Sequence, residues 1–311
     1  MVTNVTPSAI VDHRYDFVLV FDVQDGNPNG DPDAGNLPRI DPQSLQGLVT
    51  DGCLKRKIRN AIAVLANGQP GCELYFQTQD APNEKRILNL QHQRAYDEQK
   101  LKDEKDAKKK SDNTTRARTW MCQNFFDIRA FGAVMTTGVN CGQVRGPVQL
   151  TFARSVDPIV PLEFSITRKS VTTEDDAKKQ LEKDGSITGT MGRKNAVPYA
   201  LYRSYGFVNP YLARDTGFTT ADLDLLWSAL RGTMWEIDRS ASHGLMCTRG
   251  LYVFEHDSPL GRASAQDLFE RIQIQPVGAD DAPRSFNDYR PRITVADGDL
   301  PAGVKLHRMV G

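Results

Sequence analysis

The passage from Tyr15 to Pro42 restricts the fold more than any other part of the chain, because it changes character once and sharply. Tyr15–Val23 reads YDFVLVFDV, an apolar and aromatic run of strand length that suits a strand in the interior of a sheet. The following QDGNPNGDPDAGNLPRIDP has Gly, Pro, Asn or Asp at nearly every position, so neither helix nor strand propagates and a long shaped loop is expected. Thr50 then stands as an N-cap with Asp51 at the positive end of a helix. Leu54, Ile58, Ala61, Ile62 and Leu65 recur behind it at helical spacing. A central strand, a loop and an amphipathic helix therefore open the chain.

Farther on, Glu84–Thr115 is polar and alternates charges without an apolar stripe, as an insertion that is partly helical or disordered would. Thr119–Ala130, with Trp120, Phe125 and Ile128, reads as a second buried helix. GPVQLTFARSV from Gly146 and LEFSITRKSV from Leu162 read as two strands of a hairpin. Residues 171–195 lead into glycine-bearing GSITGTMGRKN, for which a projecting loop or hairpin is expected. AVPYALYRSYGFVNPY from Ala196 suits either a core strand or a stacking surface with Arg203 beside it. Thr219–Arg239 reads as an amphipathic helix with Thr220 as its cap, and LMCTRGLYVFE from Leu245 as a strand. This order fits a single α+β domain across all 311 residues, an elaborated ferredoxin-like or RRM-type sandwich.

Lys plus Arg equals Asp plus Glu, so charge is informative only by region. Residues 1–50 carry two basic and seven acidic side chains, whereas residues 51–60 carry Lys55, Arg56, Lys57 and Arg59 against Asp51. Residues 191–214 carry four basic groups and no acidic one, and residues 81–120 carry eleven against seven. Neutrality is thus a sum of opposed patches, and a polyanion would meet local excesses. On the helix after Thr50, Lys55, Arg56 and Arg59 share an arc beside the apolar stripe, where they form either a phosphate-binding face or a solvated one.

Several chemistries fail on spacing. The five cysteines are scattered without a CxxC pair, as reduced core thiols would be, and no two of the five histidines share i, i+4 spacing, so no preformed metal site is expected. DGNPNG from Asp25 opens like a calcium loop, but its twelfth position is Asn36 and Pro28 lies inside it. GSITGTMGRKN lacks the spacing of a P-loop. Asp25, Asp31 and Asp33 could gather a divalent ion for phosphodiester hydrolysis, although Asp beside Gly and Pro is ordinary turn composition. No run of about eighteen apolar residues occurs, and Met1–Asp12 lacks the pattern of a signal peptide, so a cytoplasmic location is expected.

Five blocks carry a resemblance: YDFVLVFDVQDGNPNGDPDAGNLPRIDP from Tyr15, GLVTDGCLKRKIRN from Gly47, FDIRAFGAVM from Phe126, GQVRGPVQL from Gly142 and GRKNAVPYALYRSYGFVNPYLA from Gly192. Through them the chain resembles the Cas-seven family, the repeated backbone subunit of type I CRISPR Cascade, and most closely its subtype I-C member. The resemblance implies an RRM-like palm with fingers or web inserted at 84–115 and a thumb at 172–195. It implies no enzymatic activity and no cofactor. Copies would stack into a helical filament along the CRISPR RNA (crRNA), kink it periodically and leave its bases free to pair with target DNA.

The implied partners are crRNA, the crRNA–DNA heteroduplex, neighbouring copies, the crRNA-processing, large and small subunits, and a recruited helicase-nuclease. Carried over to this sequence, Lys55, Arg56, Arg59 and Arg145 become candidate phosphate contacts, with the glycines around Arg145 letting RNA approach the main chain. Arg193 and Lys194 fall near the thumb tip, Met191 becomes a candidate wedge between bases, and Arg203 a stacking and charge contact. Related subunits of type III complexes cut RNA with a loop aspartate. That makes a metal-dependent ribonuclease using the Asp31 and Asp33 region the alternative.

Overall fold

A computed structural model describes residues 8–77, 83–102, 106–278 and 281–311. The strand expected from YDFVLVFDV is β1 (Tyr15–Gly26), and every residue from Asp16 to Val23 is buried, as a run without alternation requires. Then come β2 (Gln46–Val49) and α1 (Asp51–Leu65). Two longer helices follow, α2 (Leu88–Glu98) within the polar insertion and α3 (Ala107–Asn124) beginning in it, and residues 103–105 fall outside the described set. The chain continues through α4 (Phe126–Phe131), β3 (Gly132–Met135), β4 (Gly142–Arg145), β5 (Val148–Leu150), β6 (Ala153–Pro158) and β7 (Leu162–Arg168). The longer elements that follow are α5 (Glu174–Asp184), β8 (Thr190–Val208), α6 (Pro210–Thr216), α7 (Thr220–Ser228), β9 (Leu245–His256) and β10 (Val304–Val310), with short helices and strands between the last two.

The central sheet is antiparallel, in the order β10-β9-β1-β8-β6-β2, with β5 and β7 also pairing along β8. Period-two alternation sends Phe17, Leu19, Phe21 and Val23 to one face. There they meet Leu54, Ile58 and Ile62 of α1 and Leu223, Leu226 and Trp227 of α7. Val18 and Val20 point the other way, onto Leu268, Phe269, Ile272 and Tyr289 from the C-terminal quarter of the chain. Asp157 anchors that second layer, accepting hydrogen bonds from the Val277 and Gly278 N–H groups and the Tyr289 hydroxyl. A smaller core, with Tyr75, Tyr96, Trp120, Met121 and Phe125, holds the insertion together. Helix order in α2 and α3 thus comes from one buried side each, and the charges that hid the periodicity face solvent.

Four expectations are corrected. The segments from Gly146 and Leu162 do not pair with each other. β5, β6 and β7 each pair with β8, which at nineteen residues is long enough to serve all three. Residues 174–184, expected in a loop or hairpin, form α5, capped by Thr173 whose side chain accepts from the Asp176 N–H. The helix expected over 119–130 breaks at Phe125, which is extended and divides α3 from α4. The cap of α7 is Thr219 rather than Thr220, in a capping box with Asp222, and its helix passes through a π turn at Ala229–Thr233 before ending.

All five cysteines are free, but only Cys122 and Cys141 are buried, and Cys53, Cys72 and Cys247 are half-buried. Burial pushes the Cys122 thiol up to about 11 and the Cys141 thiol up to about 12. At pH 8 alkylation by iodoacetamide should therefore run about a hundredfold slower at Cys122, and about a thousandfold slower at Cys141, in the folded protein than in denaturant, since the thiolate is the nucleophile. Peptide mass spectrometry gives both rates, and equal rates would refute the burial of these two thiols.

Candidate functional site

The loop between β1 and α1 is fixed at its far end by Asn29, whose Oδ1 accepts from both the Thr50 N–H and hydroxyl at 3.0 Å. Thr50 in turn accepts from the Cys53 N–H and so caps α1. Of the four cations on that helix, three are held by carboxylates. Lys55 reaches Asp51 at 3.1 Å one turn back, and Lys57 is buried against Asp238. Arg59 Nε lies 2.8 Å from the buried Asp127, and its guanidinium stands over the rings of Phe76 and Phe131. Asp127 also accepts from the Tyr75 and Phe76 N–H groups, so Arg59 is one part of a joint between α1 and α4. Arg56 is exposed, with no hydrogen-bond or ion-pair partner among the described residues. The basic arc read from spacing is therefore one open arginine, one lysine in a local pair, and an arginine engaged at 13% exposure.

Of the loop aspartates, Asp31 is engaged locally. Asp31 caps a short 3-10 turn by accepting from the Asp33 N–H and lies 3.4 Å from Arg39. Among the described residues, no group of three or more His, Cys, Asp or Glu side chains is placed to hold a metal ion.

Arg193, Lys194 and Met191 lie on an arm. There the first residues of β8 pair only with β7, in the register Thr190↔Arg168 to Ala196↔Leu162. Met191 is 79% exposed, and Arg193 is paired with Glu163 at 3.2 Å across the ribbon. Leu162, Phe164 and Ile166 are exposed along β7. Arg203 is on the opposite face of the sheet from α1, half-buried with its guanidinium over Tyr205. The expected residues therefore do not converge on one site.

Arg145 does have company, which the sequence reading missed. It lines a cleft of about 480 Å³ together with Arg118 of α3 and Arg214 of α6. The local fold explains why. Gly132, at φ +84°, turns α4 directly into β3, and a Cβ on Gly146 would sit 2.3 Å from the Ala130 carbonyl oxygen. These glycines press β3 and β4 against the end of α4, so the space expected for RNA at Gly146 is filled by the chain's own backbone. Arg145 is left pointing outward at the end of β4. On the other side, Asn209 caps α6 by accepting from the Tyr211 and Leu212 N–H groups, and Arg214 follows in its last turn. Arg118, Arg145 and Arg214 are all exposed, and none has an ion-pair partner among the described residues. Asp215 is the one carboxylate on the wall, leaving an excess of two positive charges. A planar guanidinium matches a carboxylate or phosphate with two parallel hydrogen bonds, so this cleft is suited to anions. The signal that could have found it was the count over 191–214, which includes Arg214. Arg118 was hidden in the mixed charges of the insertion.

Comparison with known proteins decides the family: residues 13–296 match the family model of CRISPR-associated protein Cas7. The chain belongs to the Cas7 family. A CRISPR-associated protein Cas7 from Haloferax volcanii is 25% identical over 232 residues, covering 70% of this chain and 64% of the relative. The chain thus spans less than two thirds of that Cas7 protein's length. A chain of a CRISPR RNA-guided surveillance complex, pre-nicking, aligns at a TM-score of 0.48 and 14% identity, covering 78% of each chain. A chain of another CRISPR RNA-guided surveillance complex gives 0.43 and 15%, covering 78% of this chain and 68% of that one. Among the described residues of this Cas7 family member, no helix is long and apolar enough to cross a membrane.

Proposed function

We propose that this chain is the multi-copy backbone subunit of a type I-C CRISPR surveillance complex, and that it binds the guide RNA without cleaving it. In this reading the sheet with α1 and α7 is an RRM-like palm. The order β9-β1-β8-β6, with both helices on one face, is that of a β-α-β-β-α-β sandwich and supports the reading. The α2–α3 insertion forms the fingers or web, and β7 with α5 and the start of β8 forms the thumb. Partners are crRNA, target DNA paired to it, neighbouring copies and the other subunits of the complex, with a helicase-nuclease recruited for cleavage.

The observation that carries the reading is the arm. A two-stranded ribbon is at best marginal alone in water, yet this one exposes Leu162, Phe164, Ile166 and Met191, whereas the central strands β1 and β9 are mostly buried. Such a ribbon gains cover only when a neighbour and a nucleic-acid strand lie against it. Met191 is then free to wedge between bases, with Arg193 and Lys194 at the adjacent phosphates.

Copurification of the assembled complex, deproteinisation and sequencing of the released RNA tests the reading directly; a complex free of RNA refutes it. A finer prediction concerns α1. Lys55→Ala with Arg56→Ala should weaken guide retention equally for every spacer sequence and reduce the salt dependence by about one unit for each lost phosphate contact. Arg56 is preferred to Arg59 in this test because removing Arg59 also strips a buried carboxylate of its partner. A spacer-dependent loss of binding would count against phosphate contact.

A further inference from the structure

The arm and the arginine cleft lie at opposite ends of one strand. From Ala196, where β8 leaves the arm, to Val208, beside α6, the chain advances twelve residues, about 40 Å at strand rise. The arm adds about 20 Å more before α5. A chain therefore cannot bring its own α5 to its own cleft.

The two ends are complementary. The first turn of α5 carries Glu174, Asp175 and Asp176, all exposed and without ion-pair partners among the described residues, although Lys178 and Lys179 follow within a turn. The cleft carries Arg118, Arg145 and Arg214, also exposed and without ion-pair partners among the described residues, Arg214 standing over the Tyr211 ring. Leu181, farther along α5, and Ile187, just beyond its end, are exposed, and Val144 and Leu212 line the cleft.

We propose that the cleft formed by Arg118, Arg145 and Arg214 is a docking site for a second copy of this chain, and that it receives the acidic first turn of α5. This rests on the reading of the protein as a repeating subunit and names the contact that holds one copy to the next. Opposite ends make the contact head-to-tail, so copies continue in one direction instead of closing as a two-fold dimer. Three guanidinium groups meeting three carboxylates also fix register, since a shift along α5 brings Lys178 and Lys179 toward the arginines.

The test uses the complete guide-loaded complex and three variants. One carries Asp175→Arg with Asp176→Arg, the second Arg118→Glu with Arg214→Glu, and the third all four substitutions. Native mass spectrometry counts copies per particle, and RNA content per copy is read separately. Each two-residue reversal should weaken association between copies by about a hundredfold, and the fourfold combination should restore it to within about tenfold of the original. Restoration also shows that the altered chains fold. Assembly of the α5 variant at full strength, or a combination no better than either half, overturns the proposal. Loss of RNA from the cleft variant, with the α5 variant unaffected, would instead assign the cleft to phosphate. Absence of RNA from the unaltered complex would refute guide binding itself, a different result from failure of the charge swap.

Discussion

Substituting Arg129 with methionine should lower the melting temperature by about 5–10 °C, a destabilisation of about 3–5 kcal/mol. Arg129 of α4 and Asp222 of α7 are both buried and face each other in a two-pronged pair, with Nη2 at 2.7 Å and Nε at 2.9 Å from the carboxylate. Burial is the largest influence and opposes charge on the guanidinium, but the hydrogen bond and the charge of Asp222, together with Cys72, outweigh it and hold the Arg129 pKa above the ordinary arginine value. Nη1 also donates to the carbonyls of Gly71 and Cys122, so one side chain ties the insertion to the palm. Methionine fills similar volume but leaves Asp222 buried with no cation. Adding Asp222→Asn removes that stranded charge and keeps an acceptor for the Thr219 N–H, so the double variant should recover about half of the loss. Calorimetry on the four proteins of the cycle measures both effects. A single variant that melts within about 1 °C of the original would mean the pair contributes nothing.

The same pair shows where the sequence was legible and where it was not. β1 and α1 were readable because their signals are local: an apolar run, a capping threonine, a stripe at 3.6-residue spacing. Asp222 lies 93 residues from Arg129, and no periodicity connects them. The strand pairings failed for that reason too. Two β-rich segments separated by a turn look like a hairpin. Their true partner is instead the long β8, and the four-residue β2 that completes the edge of the sheet beside β6 is too short to announce itself. The C-terminal quarter was largely unread because its elements are short and are ordered by contacts such as Asp157 with Tyr289, 132 residues apart.

For the candidate site the division is sharper. Spacing on α1 correctly put Lys55, Arg56 and Arg59 beside the apolar stripe, but it could not show that Asp127 waits 68 residues away to engage Arg59. Nor could it show that Arg145, chosen by resemblance, meets Arg118 and Arg214 from two other elements. Residue type and local charge mark which side chains could bind an anion. Which of them remain unpaired is decided by the fold, and an arginine's availability depends on that more than on its place in a basic run.

The second large effect is expected from shortening the arm. Arg168 and Thr190 face each other across the ribbon, so residues 169–189 can be replaced by Asn-Gly, a two-residue connection whose twist matches an antiparallel hairpin. Every residue of β7 is exposed, and α5 buries none of its side chains, so the deletion removes nothing from any of the three cores. Circular dichroism should then show an intact sheet and a melting temperature within a few degrees of the original, about what surface changes cost. Assembly should behave otherwise. Without Glu174, Asp175 and Asp176 the shortened chain keeps Met191, Arg193 and Lys194 for the guide but loses its hold on the next copy. Sedimentation velocity should find short, RNA-bearing particles at concentrations where the full chain gives the complete assembly. Because the RNA-facing residues remain, full-length assemblies from the shortened chain would show that α5 is not the link between copies. A chain that unfolds on shortening would show instead that the arm supports the sheet from which it projects.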